Sequence, residues 1–279
     1  MELRSIIKTE FLKMKRYHIL LIGLLGMVCS PLLQFYSQLV VNEEFKCANF
    51  DIPALVENTI WGNAQIFMPV LFTLIGGYLV NREYTDDTLK NILTVPVSFR
   101  KFLAGKLAVM GLLAVLFGIY SFAVTLAVGL FGGLSNLNLS VFIKGLPQMI
   151  GLSVCIYIVV LPIITVCSRK PGHFMVGSVI AFLTGYCVLF FKEGLLRNIY
   201  PYSVALTMIG FDTASYSGTS GKGSVPLGAA SLGIMLLITA VLIVTSKAPG
   251  DVHGHGKKGS GKKGITLRAA QREKSKAGR

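Results

Sequence analysis

Apolar residues in this chain are gathered into long blocks separated by short polar stretches, and are not spread at the spacing of a soluble core. About 20 consecutive apolar residues cross the hydrocarbon of a bilayer. Six blocks reach or approach that length: 19–41, 61–80, 107–131, 149–168, 174–191 and 227–246. The pattern predicts an all-α polytopic membrane protein with six transmembrane helices. The fifth block is the shortest, and the second holds Pro69. The first is too long for a signal-peptide core and no small-residue cleavage site follows it, so it is expected to stay as a span.

The polar stretches carry patterns of their own. Residues 1–18, MELRSIIKTEFLKMKRYH, set Leu3, Ile6, Ile7 and Phe11 against Lys8, Lys15 and Arg16 at helical spacing. That predicts an amphipathic helix in the membrane interface; a plain positive flank is the other reading. In 81–106, Thr85, Asp86 and Asp87 look like a helix start, with acid where the helix dipole favours it. Leu89, Ile92 and Leu93 share one side, Pro96 closes the helix, and Arg100, Lys101 and Lys106 lead back to the membrane. A short helix held between two spans suits the transfer of a push from a soluble partner. In 192–226 the first half is too broken to span and too apolar to lie in water, which predicts a re-entrant or interfacial hairpin. Its second half is rich in Gly and Ser and reads as a flexible lead. The chain thus divides into an interfacial helix (1–18), a transmembrane domain (19–246) and a basic tail (247–279) expected to be disordered.

The net charge of +14 would suggest nucleic acid if it formed one patch. Instead, 22 of the 27 Lys and Arg fall in the first segment, the loop after the second span, the turn after the fourth and the tail. Basic residues favour the cytoplasmic side, so both termini are placed there. The tail then contacts anionic lipid headgroups, at about 1 kcal/mol per basic residue near the surface, or is simply solvated, with RNA contact a weaker alternative.

Only 14% of residues are charged, and the six predicted spans contain no Asp, Glu, Lys, Arg or His. Ion-coupled carriers keep such groups at depth, and intramembrane hydrolases need a nucleophile and base or metal ligands. No catalytic residue and no metal site is therefore expected. Residues 256–263, GKKGSGKK, come near a phosphate-binding loop, but Lys263 stands where Ser or Thr would hold magnesium, and no strand precedes it. His253 and His255 make a poor metal pair in such a tail. Gln34 and Gln38, one turn apart in the first span, can hydrogen-bond a neighbouring helix or line a polar route.

The interfacial helix, the six spans and the loop pattern R-E-x-x-x-x-T-L-K-N-I-L-T-x-P-V-S-x-R-K-F-L-x-G-K together resemble the permease subunits of type-2 ABC exporters. The opening IIKTEFLKMKR and the size look like the bacitracin and lantibiotic self-protection branch. The resemblance implies a coupling helix docked on separate ABC ATPase subunits, with Glu83, Thr88, Leu89, Asn91 and Ile92 at the docking surface. Arg100 and Lys101 would anchor the return to the membrane. It further implies a second permease copy or sister permease, and ATP and magnesium bound only on the partner. The substrate implied is an amphipathic antimicrobial peptide, expelled across a bacterial plasma membrane. A secondary transporter and a non-transporting scaffold or sensor are the competing readings.

Overall fold

The computed structural model describes residues 18–42, 49–85, 99–167, 172–191, 194–213, 216 and 223–246. Residues 1–244 form one compact unit and 245–279 another, of which only Thr245 and Ser246 are described. The predicted interfacial helix and basic tail thus lie outside the described residues, save for His18. All regular structure among those residues is helical.

The first helix, α1, is Ile19–Val40. α2 (Ile52–Gly62) runs through a π-helical turn at Asn63–Phe67 into α3 (Met68–Thr85), and the three together form one apolar span. α4 (Phe99–Phe131) and α5 (Leu139–Cys167) follow. Next come α6 (Phe174–Tyr186), extended by a 3₁₀ turn at Cys187–Phe190, and two short helices, α7 (Gly194–Ile199) and α8 (Pro201–Met208). α9 is Val225–Thr245.

Three spans begin earlier than the apolar pattern indicates, because the helices run on past the apolar block into turns whose polar side chains bond to other elements or stay exposed. α2 opens nine residues before position 61. Asp51 caps it, its Oδ1 accepting from Ala54 N at 3.0 Å and its Oδ2 from Asn136 Nδ2 at 3.0 Å. Within its turns Thr59 donates to Leu55 O at 2.8 Å, and Asn58 accepts from the Tyr216 hydroxyl at 2.6 Å. α5 begins at Leu139 and carries Lys144, whose Nζ lies 3.5 Å from Glu57 Oε1 of α2. α4 begins at Phe99, eight residues before the predicted start, and its 33 residues span roughly 50 Å at 1.5 Å each. That is well beyond a hydrocarbon core of about 30 Å.

Five helices among the described residues are long and apolar enough to cross a membrane, and Phe174–Phe190 is a shorter apolar helix. The 3₁₀ turn, with its larger rise per residue, brings that helix to roughly 28 Å, close to the thickness of the core. In the centre, α4 packs closely on α5 and α3 lies against α5 and α6. Phe72 of α3 meets Phe117 and Tyr157 with ring centroids 6.1 and 6.4 Å apart. By contrast, α1 and α9 are only 28% and 22% buried in their apolar windows, so they stand at the periphery.

The stretch after α6 forms a helix–break–helix hairpin. Gly194 and Gly210 bracket it with positive φ, and the chain breaks at Tyr200 before Pro201. α8 buries Tyr202, Val204, Ala205 and Leu206 against α5. Its loose backbone groups find partners: Ser231 Oγ donates to Ile199 O at 2.7 Å, and Gln148 Nε2 to Ile209 O at 3.2 Å. The Tyr200 hydroxyl donates to Thr184 O, and burial first, with Tyr202 and Cys187 adding to it, pushes the phenol well above its ordinary value. It stays a neutral donor. Such satisfaction is what a broken helix among apolar neighbours requires.

Candidate functional site

The inner ends of the helices are locked together beneath the segment that joins α3 to α4. Lys106 of α4 is 3% exposed, with its Nζ donating to Leu79 O of α3 at 3.0 Å and lying 5.1 Å from the Phe102 ring centroid. The ammonium thus gains a carbonyl and an aromatic face together. Two residues further along α3, buried Asn81 accepts from Gly172 N at 2.8 Å and so pins the entry to α6. Gly172 has φ +80°, a conformation glycine adopts without strain. Lys106 was expected at the membrane surface; the structure buries it instead, because the early start of α4 turns it towards α3.

A second feature lies in the middle of the α2–α3 span. Pro69 has no N–H for the carbonyl of Gln65, four residues back, and its ring crowds that oxygen. The helix widens there into the π turn, with Met68 N–H bonded to Asn63 O. π turns occur often where function needs an irregular helix. Asn63 is fully buried and its Nδ2 donates to Ser121 Oγ of α4 at 2.9 Å and lies 3.5 Å from Met149 Sδ of α5. Asn63 Oδ1, Gln65 Nε2 and Ser30 Oγ are buried without a hydrogen-bond partner. Each such group costs about 1–3 kcal/mol if it stays unpaired.

The sequence-predicted positions fall as follows. Thr85, read as the start of a coupling helix, is the last residue of α3, and Glu83 lies in the turn before it. Thr88, Leu89, Asn91 and Ile92 lie outside the described residues. Arg100 and Lys101 are exposed in the first turn of α4. Gln34 is half-buried against α2, where a Cβ on Gly62 would stand 2.6 Å from its Nε2. Gln38 is half-buried one turn on. Neither glutamine adjoins the inner lock. Sequence reasoning missed Asn81, Lys106 as a lock, Asn63 and Gln65. The signal for the last two was present in WGNAQIFMP, two amides just before a proline inside an apolar run.

Long apolar helices with their inner ends bound together, around a central span broken by a polar turn, define a multi-pass membrane protein. The chain matches the family model described as ABC-2 family transporter protein over residues 6–188, and it belongs to that family. It is accordingly a multi-pass protein of the plasma membrane. Over 96 residues it is 35% identical to the Bacitracin transport permease protein BCRB of Bacillus licheniformis. The match covers 34% of this chain and 46% of the relative, so the chain spans about half the length of that curated protein.

Proposed function

We propose that this chain is the membrane-spanning permease subunit of a bacterial ATP-driven exporter whose ATP is hydrolysed on a separate ABC ATPase subunit. ATP and magnesium are held there, and this chain supplies helices. The observation that carries the reading is the double lock, Lys106 on Leu79 and Asn81 on Gly172. It gives the segment between Thr85 and Phe99 a firm base on three helices, so a push on that segment reaches α3, α4 and α6 at once. Glu83, Thr88, Leu89, Asn91 and Ile92 form the docking surface, and Arg100 and Lys101 hold the return at the headgroups. Replacing Leu89 and Ile92 together by Asp is expected to strip the ATPase from the purified complex while leaving the permease in the membrane. Undiminished co-purification of ATPase with that double variant overturns the docking role.

The substrate is a membrane-associated amphipathic antimicrobial peptide, a reading supported by the likeness to a bacitracin permease. A second permease copy or a sister permease packs on this one, and the exposed apolar sides of α1 and α9 are the available surfaces. Cross-linking of single cysteines at Leu25 and Leu237 checks this; no cross-linked pair in native membranes overturns it. The tail holds ten of the Lys and Arg and attracts anionic headgroups. Vesicle clustering by the full chain should fall as salt rises and the Debye length shrinks from about 10 Å at 0.1 M, and salt-independent clustering excludes the electrostatic account.

A further inference from the structure

At their N-terminal ends α2 and α5 leave a cleft of about 390 Å³ between them, lined by Pro53, Val56, Glu57, Val141, Lys144 and Gln148 among others. Its floor is closed. A Cβ at Gly145 would lie 2.9 Å from Phe122 Cε2 and 3.2 Å from Val56 Cγ1, so only glycine lets the helices approach there. Its rim is held by the Asp51 cap and by Ile52 N–H on Ser135 O at 3.2 Å. The distribution of basic residues puts this end on the outer side of the membrane, at the depth of the headgroups.

The walls are largely apolar and carry one acid and one base. Glu57 and Lys144 face each other at 3.5 Å, with side chains 47% and 66% exposed. An exposed pair like this is worth about 0–1 kcal/mol, so a ligand bearing both charges can replace each partner at little loss. A simple anion would meet Glu57 and a simple cation would meet Lys144. The volume lies near the low end of the roughly 300–1,000 Å³ of small-molecule sites. It suits a compact headgroup and not a folded peptide.

We propose that this cleft binds the headgroup of an aminophospholipid from the outer leaflet. The phosphate rests on Lys144, the ammonium on Glu57, and the glycerol and first methylenes lie along Ile143 and Pro53. No ATPase or exported substrate enters this assignment, so it stands or falls apart from the transport reading.

The chain has one tryptophan, Trp61, one helical turn or about 6 Å along α2 from Glu57. The full chain is placed in phosphatidylcholine bilayers containing either brominated phosphatidylethanolamine or brominated phosphatidylglycerol at equal mole fraction, and quenching of Trp61 is compared. Several-fold stronger quenching by the phosphatidylethanolamine is expected. The preference should vanish in the Glu57→Gln, Lys144→Gln double variant and fall in Lys144→Gln alone, a change on the surface that leaves the fold intact. Equal quenching by the two lipids in the unaltered chain, or an undiminished preference in Lys144→Gln, overturns the proposal.

Discussion

Gly185 of α6 lies against the π turn so closely that a Cβ there would stand 2.1 Å from Gln65 O and 3.1 Å from its carbonyl carbon. Backbone cannot swing aside as a flexible side chain can, so Gly185→Ala must push α6 away from the span or distort the turn. Gly177, on the same helix, offers the control. Its added Cβ would meet Cys167 Sγ at 3.0 Å and Thr73 Cγ2 at 3.1 Å, both side-chain atoms able to yield. Overpacking of this kind costs about 1–3 kcal/mol. Gly185→Ala is therefore expected to lower the thermal unfolding midpoint in detergent clearly further than Gly177→Ala does. Equal midpoints for the two would show that α6 is free to drift at Gln65. The glycine itself was visible in the sequence as a small residue in an apolar run. Its partner was not, since a contact with a carbonyl 120 positions away leaves no periodic trace.

At the scale of elements, the α2–α3 span is two α-helices in series with a wider turn between them. The outer half is tied to the hairpin exit through Trp61, which stacks on Phe211 at 6.3 Å and meets Tyr216 at 5.2 Å. The inner half carries the lock and leads towards residues 86–98, the proposed docking segment. If the π turn is what lets one half move against the other, restoring an N–H at position 69 should stiffen the span. Pro69→Ala is expected to cut transport by the reconstituted complex several-fold while the ATPase still co-purifies. Transport at the unaltered rate would make the turn a packing accommodation only. The apolar blocks marked where helices run because burial in lipid leaves a simple compositional trace. They missed the starts of α2, α4 and α5 because the helices run on past the apolar blocks, carrying Glu57 and Lys144 exposed and Lys106 buried on the Leu79 carbonyl. The broken hairpin was foreseen from Pro201 and the polar residues around it, as was the family, from the 82–106 pattern.

For the molecule as a whole, the question is where the work of transport enters. Among the described residues, the acidic and basic side chains of the long helices stand near helix ends: Glu57 and Lys144 towards the outside, and Arg82, Arg100, Lys101 and Lys106 towards the inside. The middle of the bundle has amides, hydroxyls and the Met149 sulfur around Asn63. Neutral groups of this kind can exchange hydrogen bonds as helices slide, but they do not take up and release a coupling proton at physiological pH. The buried Lys106 is held by the Leu79 carbonyl at the inner end and joins two helices. A push applied below the lock is delivered to three helices together. Vesicles holding this chain alone are expected to accumulate no labelled amphipathic peptide when a pH or sodium gradient is imposed. Vesicles holding it with its ATPase should accumulate the peptide on addition of ATP and magnesium. Uphill movement in the first case, with no nucleotide present, would move the energy source into the bundle and restore the secondary transporter.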